Sequence, residues 1–205
     1  MKKRIALLIL KMQKINISLH KINIDGLRKQ SKGRDRQKCL SLKIFGKVVV
    51  SMRINFYDTR IEEDNSIMLV KEKGVNYGME SLDNAKCIVN MLNTVIELNK
   101  KAEEHIYLIG VNSKNKVVGV FLISKGTVNQ CIVSPREIFI RLLLVGAVHF
   151  MVCHNHPSKD CTPSGDDIVL TRRLKEAGLL LNVPLADHII IGGDWYYSFK
   201  EQETL

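Results

Sequence analysis

The sequence predicts an α/β fold, a sheet layered with helices, and two observations carry that expectation. Short apolar runs rich in β-branched residues recur at 105–111, 117–123, 148–153 and 188–192, and stretches with helical spacing fall near 82–102, 135–146 and 164–181. Interleaving of this kind is the pattern of layered α/β domains. The region that holds these elements runs to about 120–130 residues, enough for one buried core. No internal repeat or low-complexity tract interrupts it.

Each element has its own signal. The first helix has Ser81 as candidate cap, with Ile88, Met91, Leu92, Val95 and Leu98 at helical spacing. His105-Ile106-Tyr107-Leu108-Ile109-Gly110-Val111 reads as the first core strand, and Asn112-Ser113-Lys114-Asn115 as the hairpin turn into the strand at 117–123. After the helix at 135–146, Val148-His149-Phe150-Met151-Val152-Cys153 reads as a buried strand ending at His154, with His149 and Cys153 expected to pack in the core. Pro157 to Pro163 is a loop built on Pro157-Ser158, Asp160 and Thr162-Pro163. Ser164 opens the next helix as N-cap, and Asp167 stands three positions on, in a capping-box-like place. The strand at 188–192 precedes a last one, Trp195-Tyr196-Tyr197-Ser198-Phe199, whose aromatics are expected to pack rather than to bind bases.

Charge is distributed unevenly. Residues 1–51 hold 14 Lys+Arg against 2 Asp+Glu, net +12, whereas 52–205 hold 17 against 19, net −2, so the overall +10 describes the N-terminal region. A basic arm binds nucleic acid by neutralising phosphates, but this one lacks aromatic interleaving and zinc-finger spacing. Met52-Arg53-Ile54-Asn55-Phe56 looks like a natural start. Three segments are therefore expected: a basic extension at 1–51, disordered or upstream of the native start; a lead-in at 52–79; and a folded domain at 80–205. Ile5 to Leu10 is too short for a signal sequence, and no run reaches the length of a membrane span. Five cysteines without Cys-x-x-Cys spacing argue against a disulfide framework and lead to the expectation of a cytoplasmic protein.

The chemistry lies in one run, His154-x-His156-x7-Ser164-x2-Asp167. Side chains alternate along a strand, so His154 and His156 leave the same face, and the loop and first helical turn bring Asp167 back to the strand end. Taken singly, Asp167 reads as a helix-start carboxylate and Ser164 as a cap; together at these offsets they form a constellation. Asp166 is the adjacent rival, and the spacing favours Asp167. Two imidazoles and a carboxylate suit zinc, and three protein ligands leave a fourth position for water, the mark of a catalytic site. Zinc brings the pKa of such a water near ~7. Ser164 is a candidate donor to an oxyanion, and a glutamate from elsewhere is needed as general base. His-Glu-x-x-His, P-loop, dinucleotide and deaminase signatures are absent.

Further pieces flank the run: Ser124-Lys125-Gly126-Thr127-Val128-Asn129, Ser134-Pro135-Arg136-Glu137-Ile138-Phe139, Leu170-Thr171-Arg172-Arg173-Leu174-Lys175-Glu176-Ala177-Gly178 and Asp187-His188-Ile189-Ile190-Ile191-Gly192. With His154-Asn155-His156-Pro157-Ser158 and Thr162-Pro163-Ser164, they resemble the JAMM motif and flanks of the RadC branch of the MPN (JAB) metalloenzymes, over roughly residues 80 to 205. The resemblance implies a mixed β-sheet sandwiched by helices, similar to the cytidine-deaminase arrangement. It also implies one Zn2+ on His154, His156 and Asp167, with Ser164 supporting the tetrahedral intermediate. The family's general-base glutamate sits at the start of the first core strand, which here means Glu104, with Glu103 as the alternative. Two positions depart from the pattern: Lys159 stands where RadC-type sequences have Gly, and Cys161 where they have Pro. Lys159 brings positive charge near the metal mouth, and Cys161 is a candidate thiol ligand or oxidation site, unless both are simply tolerated in the loop. His188 is left open between lining the pocket and capping a strand.

The resulting expectation is a zinc-dependent hydrolase, a metallopeptidase or isopeptidase cleaving an amide bond. The alternative is a RadC-type DNA-repair or mobile-element accessory protein acting as a DNA-associated binding module through the basic extension.

Overall fold

Alternating side chains divide each central strand between two faces, and both faces are covered by helices in the computed structural model, which describes residues 42–44, 47–49, 51–79, 81–126 and 133–205. The elements are β1 (Leu42–Ile44), β2 (Lys47–Val49), β3 (Met52–Ile61), β4 (Ile67–Tyr77), α1 (Ala85–Ile96), β5 (Glu104–Val111), β6 (Val117–Gly126), α2 (Pro135–Val145), β7 (His149–Asn155), α3 (Gly165–Leu180), β8 (Leu185–Gly192) and β9 (Trp195–Ser198). β1 and β2 pair as a separate antiparallel hairpin. The other seven strands form one mixed sheet in the order β4-β3-β6-β5-β7-β8-β9, with β3–β6 and β7–β8 parallel.

The core follows from the two-residue period of the strands. Tyr107, Ile109 and Val111 of β5 and Met151 and Cys153 of β7 face one way, into a cluster with Ile88, Met91, Leu92 and Ile96 of α1. Ile106, Leu108, Phe150 and Val152 face the other way, onto Ile138, Phe139 and Leu142 of α2 and Leu174 of α3. Cys153 packs in the core as expected. His149 does not: it is half-buried at the start of β7, bonded through Nε2 to Asn115 Oδ1 at 2.9 Å.

Residues 52–79, expected to be a lead-in outside the domain, are two long strands of the sheet. Met52, Ile54 and Phe56 of β3 are buried against the α1 side, and β3 joins the sheet beside β6 through Phe56 and Val120. Of the extension at 1–51, only β1 and β2 fall among the described residues; the rest of that expectation lies outside them. The cap of α1 is Asn84, whose side chain accepts from Cys87 N at 2.9 Å, and not Ser81, whose hydroxyl donates to Asp83. Glu97, left-handed at φ 51°, ends α1 before a 3-10 turn at Leu98–Lys100, where a continuous helix to 102 was expected. Among the described residues, no helix is long and apolar enough to cross a membrane.

Candidate metal centre

Three adjacent strands and one helix start build the site on the α3 side of the sheet. In register, Ile106 of β5 and Ile190 of β8 flank His154 of β7, so Glu104 at the start of β5 reaches the end of β7. The chain continues past β7 with His156 N donating to Ile191 O at 2.9 Å, which keeps His156 alongside the sheet. Ser164 and Asp167 then form a reciprocal capping box at the start of α3. Ser164 N and Oγ donate to Asp167 Oδ2 at 2.8 and 2.6 Å, and Asp167 N donates back to Ser164 Oγ at 3.2 Å.

The predicted residues converge. His154 Nε2 lies 3.1 Å from His156 Nε2 and 3.2 Å from Asp167 Oδ1, and His156 Nε2 lies 3.6 Å from Asp167 Oδ2. Zinc–ligand bonds of about 2.0–2.1 Å in a tetrahedral shell place donor atoms roughly 3.3 Å apart, so these spacings match one small cation. Glu104 Oε1 is 3.9 Å from His154 Nε2. Glu103 points elsewhere, half-exposed and paired with Lys125 at 2.8 Å, which separates the two glutamates left open by the sequence. His154, Asp167 and Glu104 are buried, and His156 is the half-buried candidate ligand at the rim.

Hydrogen bonds set the chemistry of the donors. The His156 Nδ1–H donates to Asp160 O at 2.7 Å, which leaves Nε2 as a bare lone pair. A longer chain does the same for His154. Thr171 Oγ1 has one proton and donates it to Asp167 O at 2.6 Å, so its 2.6 Å contact with His188 Nδ1 requires Nδ1–H on His188. His188 Nε2 is then an acceptor, and His154 Nδ1–H donates to it at 3.0 Å. Both ligand imidazoles thus turn Nε2 lone pairs toward each other and toward the Asp167 carboxylate. Lone pairs so close repel unless a cation or a proton lies among them, and the residues present fit a divalent metal on that ground.

The acid–base behaviour of the groups agrees. Burial raises the Asp167 pKa, but the His154 and His156 imidazoles, which bond to the carboxylate when a proton rather than a metal lies among the donors, and the Ser164 hydroxyl outweigh it and hold the carboxyl well below the usual range. Asp167, which accepts from His156 once that ring carries a second proton, raises His156 against the effect of burial. Burial also raises Glu104, an effect that His154 and His156 oppose. Burial, assisted by the neighbouring His154, pushes His188 down to about 3, so it stays neutral at physiological pH.

Sequence reasoning missed Asn155. It is buried between the two histidines but faces the other side of the sheet, where Oδ1 accepts from His105 N at 2.9 Å and Nδ2 donates to Glu103 O at 3.0 Å. These bonds bracket Glu104 and hold the start of β5 against the end of β7. A buried amide within His-x-His is the signal that marked it. His188, left open earlier, stands behind His154, stacked on Phe199 at 5.0 Å and 7°, and its ring nitrogen lies within 4.8 Å of donor atoms of both His154 and Asp167. Trp195 of β9, expected to pack, is 77% exposed.

The ligand loop depends on close packing. Lys159 is left-handed at φ 66°, where an L side chain is disfavoured and glycine is favoured. Gly192 supports the same loop: a Cβ there would stand 2.6 Å from Lys159 O and 2.7 Å from Cys161 N. Gly192→Ala is expected to cost about 1–3 kcal/mol through overpacking, read by urea denaturation, and to weaken zinc uptake because Asp160 O orients His156. Ser164→Ala removes both the cap and a bond to Asp167. Its expected cost is about 1 kcal/mol in the metal-free protein, measured in the same way.

A family model described as RadC-like JAB domain matches residues 82–204. Among curated relatives, a UPF0758 protein of Clostridium novyi is 44% identical over 109 residues, 53% of this chain and 48% of the relative. One of Clostridium acetobutylicum is 42% identical over 114 residues, 55% and 50% of the two chains. One of Clostridium tetani is 38% identical over 134 residues, 65% and 57%. The chain spans about half the length of the curated relatives it matches.

Proposed function

Because the chain belongs to the RadC-like JAB domain family, we propose that it is a zinc-dependent hydrolase cleaving an amide bond, as a metallopeptidase or isopeptidase. The observation that carries this reading is the convergence of the His154, His156 and Asp167 lone pairs beside the buried carboxylate of Glu104. When bound there, zinc supplies a water of lowered pKa and a Lewis acid for a carbonyl. Glu104 Oε1 accepts the proton of the attacking water and delivers it to the departing amine nitrogen. Ser164 Oγ stands beside the cluster with its one proton on Asp167 Oδ2, and in this reading it turns that proton from Asp167 to the developing oxyanion. His154, buried and fixed by His188, and His156, fixed by Asp160, hold the geometry without moving protons.

The test is metal content of the purified full-length protein by mass spectrometry, with near one zinc per chain expected. A folded protein that stays metal-free in added zinc overturns the reading. A second reading, a DNA-associated module located in the cytoplasm, is favoured by the +12 charge of residues 1–51. It predicts a salt-dependent DNA affinity that disappears on deleting those residues, with no hydrolysis of any peptide library.

A further inference from the structure

We propose that Thr171 and His188 are positioning residues that lock the tautomer of His154, through the buried chain from Asp167 O to Thr171 Oγ1, His188 Nδ1, His188 Nε2 and His154 Nδ1. The inference rests on the metal reading above and deepens it, since it names the residues that make His154 a ligand.

All three links are short, at 2.6, 2.6 and 3.0 Å, and Thr171, His188 and His154 are buried. No solvent exchange competes with them, so the proton positions are set by the chain itself. Its direction is determined at one end. The carbonyl of Asp167 only accepts, which fixes the Thr171 proton, then the His188 proton on Nδ1, then the His154 proton on Nδ1. Reversing any one link places a proton on His154 Nε2, aimed at His156 and Asp167, where it excludes a metal. The stack on Phe199 fixes the plane of the His188 ring, and a half-turn within that plane would remove Nδ1 from Thr171 and Nε2 from His154. The chain is also a closed loop between ligands: it begins on the backbone of Asp167 and ends on the ring of His154, so the first turn of α3 and the end of β7 are set relative to each other. Outer groups that orient a ligand histidine typically change metal affinity by about 10–100-fold.

The near-isosteric Thr171→Val removes the hydroxyl, and Thr171→Ser restores it. Zinc affinity of the full-length protein, measured by competition with a chromophoric chelator, is expected to fall about 10–100-fold in Thr171→Val and to recover in Thr171→Ser. Imidazole 15N spectra of the metal-free proteins report the tautomers directly. They are expected to place the His154 proton on Nδ1 in the wild type and Thr171→Ser, and to show mixed tautomers in Thr171→Val. Wild-type affinity in Thr171→Val overturns the proposal, as does equal weakening in both variants with the His154 tautomer unchanged, which is the result of a packing role. The wild-type spectrum needs no variant to fold, and a His154 proton on Nε2 overturns the lock by itself. A wild type that binds no zinc overturns the hydrolase reading instead, and the tautomer shift between wild type and Thr171→Val then decides the lock alone.

Discussion

Asp167→Ala and His156→Ala are each expected to empty the site of zinc, with affinity falling by more than the ~10–100-fold that loss of an outer-shell partner costs. Each removes one of three donors spaced 3.1–3.6 Å apart, and two remaining ligands do not make a zinc site of the usual kind. The variants are expected to differ in stability. Asp167 is buried and also accepts from Ser164 N and Oγ, so its removal leaves two donors unpaired and strips the cap from α3, a loss of about 1 kcal/mol or more in the metal-free protein. His156 lies at the rim, and its removal breaks the bond to Asp160 O and the contacts with His154 and Asp167 but leaves the cap of α3 intact. Mass spectrometry of the full-length proteins reads the metal, and urea denaturation reads the stability. Zinc retained in both variants sinks the ligand assignment.

Glu104→Gln is expected to separate binding from chemistry. The amide keeps the shape of the side chain but takes no proton, so zinc content stays near wild type while hydrolysis of an amide substrate falls by roughly 10²–10⁴, the usual contribution of a general base. Glu103→Gln, with its side chain directed at Lys125, is expected to leave both unchanged. Peptide and isopeptide libraries screened with wild type and Glu104→Gln side by side supply the measurement. Equal rates in the two proteins remove Glu104 from the mechanism.

Much of this was legible because it is local. The strand expected to end at His154, the turn at 112–115 and the reciprocal cap of Ser164 and Asp167 depend on residues a few positions apart; the structure has the turn and the cap where the spacing put them and ends the strand one residue later, at Asn155. The place of residues 52–79 was not legible. β4 is an edge strand with an irregular burial pattern, and β3 alternates only over Met52–Phe56 before the bulge at Phe56 and Tyr57, so most of the segment shows no two-residue period. The misplaced cap at Ser81 had a similar cause: Ser81 and Asn84 are both acceptable caps, and only the hydrogen bond to Cys87 distinguishes them.

What the sequence determined by itself was that His154, His156 and Asp167 meet, because His-x-His at a strand end and a carboxylate in the first turn of the next helix are tied by chain connectivity. What only the tertiary structure decided was everything contributed across strands. Glu104 and Glu103 are neighbours in sequence with the same chemistry, and burial beside β7 separates them. Asn155, Thr171 and His188 acquire their roles through bonds that span 17 to 52 residues. The direction of a buried hydrogen-bond chain is set by which atoms meet, and pairing between strands distant in sequence leaves no period in the sequence from which to read it.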